Sequence, residues 1–241
     1  MTQPHIPQRD LEDAIAQGGC PVCRLSEREV TRYLISLLRE RVTDVDERQR
    51  IRDARGLCNP HAWQLQEGGG ALGMSLIYRD LVSTLAKALE PGLDVREGLL
   101  PRLLGGEGSP QRAALALRSR LQATRPCPAC AEHDEIVHLA IGGLLDYLHD
   151  EAFASCYRRG DGLCLEHFLL ILDRAREAGP LRELVTVQLR VSVGLRAELD
   201  EFIRKHDYRH SSEQVGAEGD AYVRAIRLLA GEKRSTSIRN S

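Results

Sequence analysis

At 241 residues, with 42% apolar and 28% charged residues, the chain has the length and composition of a folded protein with a core rather than of a disordered one. Aromatics make up only 4%, so Leu, Val, Ile and Ala must fill that core. Thirty-three basic residues against 35 acidic ones give a net charge of -2, which excludes attachment to nucleic acid or an anionic membrane by bulk charge.

Residues 1–10 are polar, carry Pro4 and Pro7, and lack the basic start and apolar run of a secretory signal; they read as a flexible tail. A first helical repeat is expected over 11–90. It opens on Cys20-Pro-Val-Cys23, continues through a stripe of Val30, Leu34, Leu37 and Leu38 at helical spacing, and reaches Gly56-Leu57-Cys58-Asn-Pro-His61. A glycine break at 68–70 then leads into a helix whose stripe runs Met74, Ile77, Tyr78, Leu81, Leu85 and Leu89 until Pro91. Residues 91–110, with Gly92, Gly98, Gly105, Gly106 and Gly108, read as a linker.

The second repeat, over 111–205, restates the first. Cys127-Pro-Ala-Cys130 follows the first Cys-x-x-Cys by 107 residues, and Gly162-Leu163-Cys164-Leu-Glu-His167 follows its counterpart by 106. Val137, Ile141, Leu144 and Leu145 repeat the first stripe, so one helix is expected between the ligand pairs of each copy. A longer helix after Gly179-Pro180 carries Leu184, Val187, Val191, Leu195, Leu199 and Phe202. The C-terminal segment 206–230 is polar and irregular up to Asp220, then helical over Ala221–Ala230, and 231–241 reads as a second tail. Period-two alternation is missing, so the expected fold is all-α: a duplicated helical repeat with a pseudo-twofold, each half pinned by a Cys3His metal site.

The seven cysteines carry the chemistry. With no secretory signal and no stretch of 18 apolar residues, the protein is expected in the cytoplasm, away from membranes, where clustered cysteines serve metals or thiol reactions rather than disulfides. Cys-x-x-Cys converges two thiolates on one ion, and Cys-x-x-His at a helix start puts both ligands on one face. Pairing within each repeat gives Cys20, Cys23, Cys58 and His61 as one site and Cys127, Cys130, Cys164 and His167 as the other. Three thiolates and one imidazole suit zinc, so two structural zinc ions are expected; two iron-sulfur clusters on the same ligands, for electron transfer or redox sensing, stay open. Arg24 and Arg55 are placed to offset the sites' negative charge.

Other features take plainer readings. Gly68-Gly-Gly-Ala-Leu-Gly73 matches G-x-G-x-x-G but follows a helix, not a strand, and reads as a hinge between packed helices. Cys156 reads as a small core residue, and His133, His138 and His149 as surface or gap-filling residues. Arg112, Arg118, Arg120 and Arg125, in a stretch free of acids, offer a route to nucleic acid but more simply form a solvated helix face. His206, Asp207, Tyr208 and His210 raise a hydrolase or transferase reading, against which stands a capped loop. No residue is assigned a catalytic role: four protein ligands per site leave no open position, and the reading is an interaction or regulatory module with a protein partner.

Over roughly residues 15–230 the chain resembles an uncharacterised bacterial and archaeal domain-of-unknown-function family. The resemblance rests on the doubled Cys-x-x-Cys and Gly-x-Cys-x-x-His motifs, on Gly70-Ala-Leu-Gly-Met-Ser-Leu76 and on Asp207-Tyr208-Arg209. Leu57 and Leu163 stand where that family usually has Phe, and Gln214-Val215-Gly216 replaces its Pro-Trp-Gly segment. The resemblance implies a helical fold and two Cys-rich sites, with no activity attached.

Overall fold

Leu-, Ala- and Arg-rich segments, broken at Gly and Pro, fold as helices throughout. The structure, a computed structural model, describes residues 6–90, 110–210 and 213–233, and among these there is no strand. The helices are α1 (Gln8–Ala16), α2 (Pro21–Arg39), α3 (Val45–Asp53), α4 (Asn59–Glu67), α5 (Ala71–Leu89), α6 (Pro110–Leu121), α7 (Pro128–Tyr147), α8 (Glu151–Arg159), α9 (Leu165–Leu172), α10 (Ala178–Lys205) and α11 (Ala221–Ala230). Two short 3-10 turns, Tyr208–His210 and Ala217–Asp220, make up much of the polar stretch before α11. The linker expected over 91–110 lies, except for Pro110, outside the described residues.

The duplication is visible in the order of elements. Each repeat runs long helix, short helix, short helix, long helix: α2 to α5, then α7 to α10. Two helices, not one, therefore separate the ligand pairs of a repeat. The added helices, α3 and α8, begin at twin caps, where the carboxylate of Asp44 accepts from the Glu47 amide at 2.8 Å and that of Asp150 from the Phe153 amide at 2.9 Å. Those caps were the available signal, hidden because α3 is too polar to show a strong stripe.

The compact units cut across the repeats. The described residues of one unit fall in Met1–Glu29 and His133–Arg234, and those of the other in Val30–Glu132. The boundary thus passes through α2 and through α7, so that the start of each helix belongs to one unit and most of its apolar stripe to the other.

In the first unit, Leu11, Leu25, Ile141, Leu144, Phe153, Leu163, Ile171 and Leu184 form a closed apolar core. The Phe153 ring packs at a tilt on Tyr147, 5.6 Å between centroids. Residues 6–10 are no tail: Ile6 is buried, its carbonyl accepts from the Tyr147 hydroxyl at 2.8 Å, and α1 buries Leu11, Ala14 and Ile15. The i, i+3, i+4 spacing of those three after Pro7 was the signal, masked by the polar opening.

In the second unit, Val30, Tyr33, Leu34, Leu37, Ile51, Leu65 and Ile77 form the core. Glu47 is buried there with its charge matched: it accepts from the Tyr33 hydroxyl at 2.6 Å and pairs with Arg50 at 3.2 Å and Arg41 at 3.3 Å. The Gly68–Gly73 segment opens α5 and works as a close-packing joint. A Cβ on Gly73 would stand 3.1 Å from Val42 and 3.3 Å from the Leu38 carbonyl, so the glycine lets α5 lie against the end of α2. This supplies a physical reason for Gly70-Ala-Leu-Gly.

Candidate metal centres

All four ligand pairs sit at helix starts. Cys20 precedes Pro21, the first residue of α2, and Cys127 precedes Pro128, the first residue of α7; proline suits this position because its missing N–H has no helical acceptor. Cys58 and Cys164 cap α4 and α9 with nearly the same backbone, φ -65°, ψ 165° and φ -67°, ψ 160°. In both, the histidine three residues on brings Nδ1 to 3.2 Å from the capping sulfur. The glycine of each Gly-x-Cys is required by the turn into the cap, where φ is +107° at Gly56 and +73° at Gly162.

The pairs assemble in the opposite combination from that expected. Cys20 and Cys23 meet Cys164 and His167 in the first unit, and Cys127 and Cys130 meet Cys58 and His61 in the second. Each group thus combines the Cys-x-x-Cys of one repeat with the Cys-x-x-His of the other, and pairing within a repeat is corrected. Helix lengths account for it. From Cys23 the rest of α2 carries the chain about 24 Å, whereas the nine residues of α3 return it by at most about 14 Å, so α3 alone does not bring Cys58 back to Cys20. The lengths of α7 and α8 impose the same shortfall on Cys164.

Within each group the four donor atoms lie within 4.8 Å of one another. In the first, Cys23 Sγ is 3.7 Å from Cys164 Sγ, and His167 Nδ1 is 3.4 Å from the sulfurs of Cys20 and Cys23. In the second, Cys58 Sγ is 3.6 Å from Cys130 Sγ, and His61 Nδ1 is 3.5 Å from Cys130 and 3.7 Å from Cys127. Two thiolates on one tetrahedral zinc stand about 3.8 Å apart, and thiolate and imidazole about 3.6 Å, so the donors fit a single ion.

The electrostatics divide the sulfurs, favouring the ionised form of one cysteine in each group and opposing it in another. Two helix N-termini converge on each group, each offering partial positive charge to a thiolate. Hydrogen bonds from Cys20 and Cys23, with one from His167, hold the Cys164 thiol well below its ordinary range. Burial and the neighbouring thiols push Cys20 well above it. Burial opposes charge on His167, yet Cys164 and Cys23 raise its imidazole to about 10. In the second group burial and Cys127 push Cys130 up to about 12, while for Cys127 the pull of burial is overcome by the His61 hydrogen bond and backbone amides, leaving it lowered.

The surroundings brace the groups. Gln188 on α10 grips the turn before Cys164, accepting from the Leu163 amide at 3.1 Å and donating to the Leu163 carbonyl at 2.9 Å. A Cβ on Gly162 would meet Gln188 Oε1 at 2.8 Å. Gly162→Ala therefore combines a left-handed backbone with the loss of this brace, and should cost at least about 1–2 kcal/mol in urea unfolding, with weaker metal retention by the first group alone. Gly231, expected at the start of a tail, lies against this group: a Cβ there would be 3.6 Å from Cys23 Sγ, and the next residue, Glu232, pairs with Arg227 at 3.3 Å. Residues 234–241 lie outside the described residues.

The remaining candidates lie elsewhere. Cys156 is partly buried against the first core. His138 holds Arg174 on the surface at 2.7 Å, His133 meets Asp134 at 3.1 Å, and His149 lies 3.6 Å from Glu177. Arg112, Arg118 and Arg120 are exposed on α6, which buries no residue, and Arg125 lies 3.7 Å from Asp53. Arg55 donates to the carbonyls of Arg52 and Arg120, and Arg24 to that of Gly18. His206 Nδ1 contacts the Phe202 carbonyl at 2.8 Å, Asp207 pairs with Arg209 at 2.9 Å and His210 with Glu213 at 3.0 Å, a local capping arrangement after α10. Among the described residues no helix is long and apolar enough to cross a membrane.

Fold and sites together define an all-helical protein with two possible metal-binding Cys3His groups. The chain belongs to the family of unknown function DUF6062, whose model matches residues 4–236. It is 24% identical over 219 residues, 89% of this chain and 96% of the relative, to a protein of Caldicellulosiruptor sp. (strain Rt8B.4) described as an uncharacterized 23.9 kDa protein in the xynA 3' region. No solved structure matches the chain.

Proposed function

We propose that the protein holds two zinc ions, one in each Cys3His group, and that both are structural, in a non-enzymatic interaction or regulatory module of the cytoplasm. The observation that carries this reading is the closeness of the donors, all within 4.8 Å in each group. Such a set surrounds one ion and closes its coordination, whereas catalytic zinc keeps a position for water or substrate. An iron-sulfur cluster distributes its ligands over several irons, which an inorganic core holds further apart. Six thiols that must stay reduced to act as ligands suit a reducing compartment.

Elemental analysis and an absorption spectrum of anaerobically purified protein test the reading. Two zinc per chain in a colourless protein are expected. Several irons per chain, with a brown colour that bleaches on reduction, would replace it with the electron-transfer reading.

A further inference from the structure

Beside the Cys3His group of the first unit, a cavity of about 320 Å³ opens among the loop before α2, the turn into α9, and helices α10 and α11. That volume falls within the roughly 300–1,000 Å³ of small-molecule sites. Its lining is divided in character. Leu163, Leu195 and Leu228 supply apolar surface, while Arg24, Arg190, Arg224 and Arg227 outnumber the two acids, Asp161 and Glu198.

The four guanidiniums are not equally occupied. Arg224 pairs with Glu198 and with Asp220, and Arg227 with Glu232. Arg24 and Arg190 instead donate to one backbone carbonyl each, those of Gly18 and Gly160, and form no ion pair among the described residues, although the Glu232 carboxylate and Arg24 both lie against Gly19. A guanidinium offers five N–H donors in a planar fork suited to carboxylate or phosphate, so most of the donors of this pair are uncommitted. Asp161, whose carboxylate accepts from the Gly19 amide at 2.8 Å, forms no ion pair with either arginine among the described residues.

The space is also held open at a cost to the fold. Gly194 lines the cavity in the interior of the 28-residue α10, and a Cβ there would meet nothing within 4 Å. Glycine at such a position costs a helix about 1 kcal/mol relative to alanine, with no packing constraint here to require it.

We propose that this cavity is a binding site for a small organic anion, its carboxylate or phosphate head held by Arg24 and Arg190 and its short apolar body lying against Leu163, Leu195 and Leu228. The site goes beyond a structural metal module: it would make the first unit responsive to a metabolite-sized ligand. It is built from arginines, leucines and a glycine, and because Cys20 and Cys164 of the neighbouring group also line it, metal content is read alongside binding.

The test is calorimetric titration of the full chain as purified, with hexanoate, phenyl phosphate, inorganic phosphate and hexylamine as probes, and with metal content measured on the same samples. Hexanoate or phenyl phosphate should bind saturably at one per chain, inorganic phosphate about tenfold more weakly or less, and hexylamine not at all. Arg190→Gln should weaken binding by about tenfold or more, since a charge-assisted contact is lost. Gly194→Phe, whose Cβ meets nothing within 4 Å and which improves helix propensity, should abolish it by filling the space, while leaving metal content and circular dichroism unchanged. If the two arginines merely balance the thiolates nearby, neither organic anion will saturate the protein at roughly 10 mM, and the proposal fails. It fails equally if hexylamine binds as well as hexanoate, if inorganic phosphate binds as tightly as the organic probes, or if both variants bind as the parent does. Loss of zinc without loss of anion binding would count against the metal reading alone.

Discussion

Substituting Cys20 and Cys58 together by serine should strip the protein of both metals, while substituting Cys20 and Cys164 together should remove only one. The first pair draws one ligand from each Cys3His group, and the second draws both from the same group. Pairing within repeats predicts the reverse: Cys20 and Cys58 would then share an ion. Metal content after dialysis against a fixed chelator concentration separates the two outcomes, because each group becomes a three-donor set that competes poorly. A Cys20→Ser/Cys58→Ser protein that keeps one full equivalent would overturn the exchanged pairing. The surviving unit of Cys20→Ser/Cys164→Ser should retain its helical signal, since the core around Leu34 and Ile51 belongs to the other group's unit.

Complete removal of metal should be more damaging than any single core substitution. Phe153→Ala, at a fully buried ring, should cost about 3–5 kcal/mol, whereas structural zinc sites contribute on the order of 10 kcal/mol each. Treating the protein with a strong chelator should therefore abolish most of its far-ultraviolet helical signal, and added zinc should restore it. Acid should act likewise, and the sign follows from the ligands. Thiolate and neutral imidazole bind metal; protons compete for both, so metal-linked stability is full at high pH and lost as pH falls. Retention of cooperative urea unfolding with an unchanged midpoint after metal removal would show that the helices pack without the ions.

Much of this was legible in the chain. The eight donors, the helical stripes and the boundaries of α10 and α11 follow from local spacing, and Gly56 and Gly162 mark turns that only a left-handed residue makes easily. The pairing of ligands was not legible, because two equal repeats satisfy either combination. Loop length cannot choose between them either, since doubling a loop costs only about 0.6 kcal/mol. The choice is made by rigid geometry: α2 outruns α3, and α7 outruns α8. Seeing that required recognising α3 as a helix from little more than Asp44 and its cap. The cavity beside Cys164 was hidden for a different reason, as Arg24, Arg190 and Leu228 are far apart in the chain and nothing local marks their meeting.

The crossed ligand pairs carry a consequence for how such a chain arises. One repeat by itself holds a Cys-x-x-Cys and a Cys-x-x-His that this fold does not bring together. A half-length chain of this design could complete its coordination only by trading these arms with a second copy, giving a swapped homodimer with two ions. Joining the copies end to end turns a concentration-dependent association into an intramolecular one, with the connector setting the effective concentration. Gene fusion would then free the halves to diverge, and the arginine-lined cavity, with Arg24 from one side and Arg190 and Arg224 from the other, draws on both ends of the fused chain.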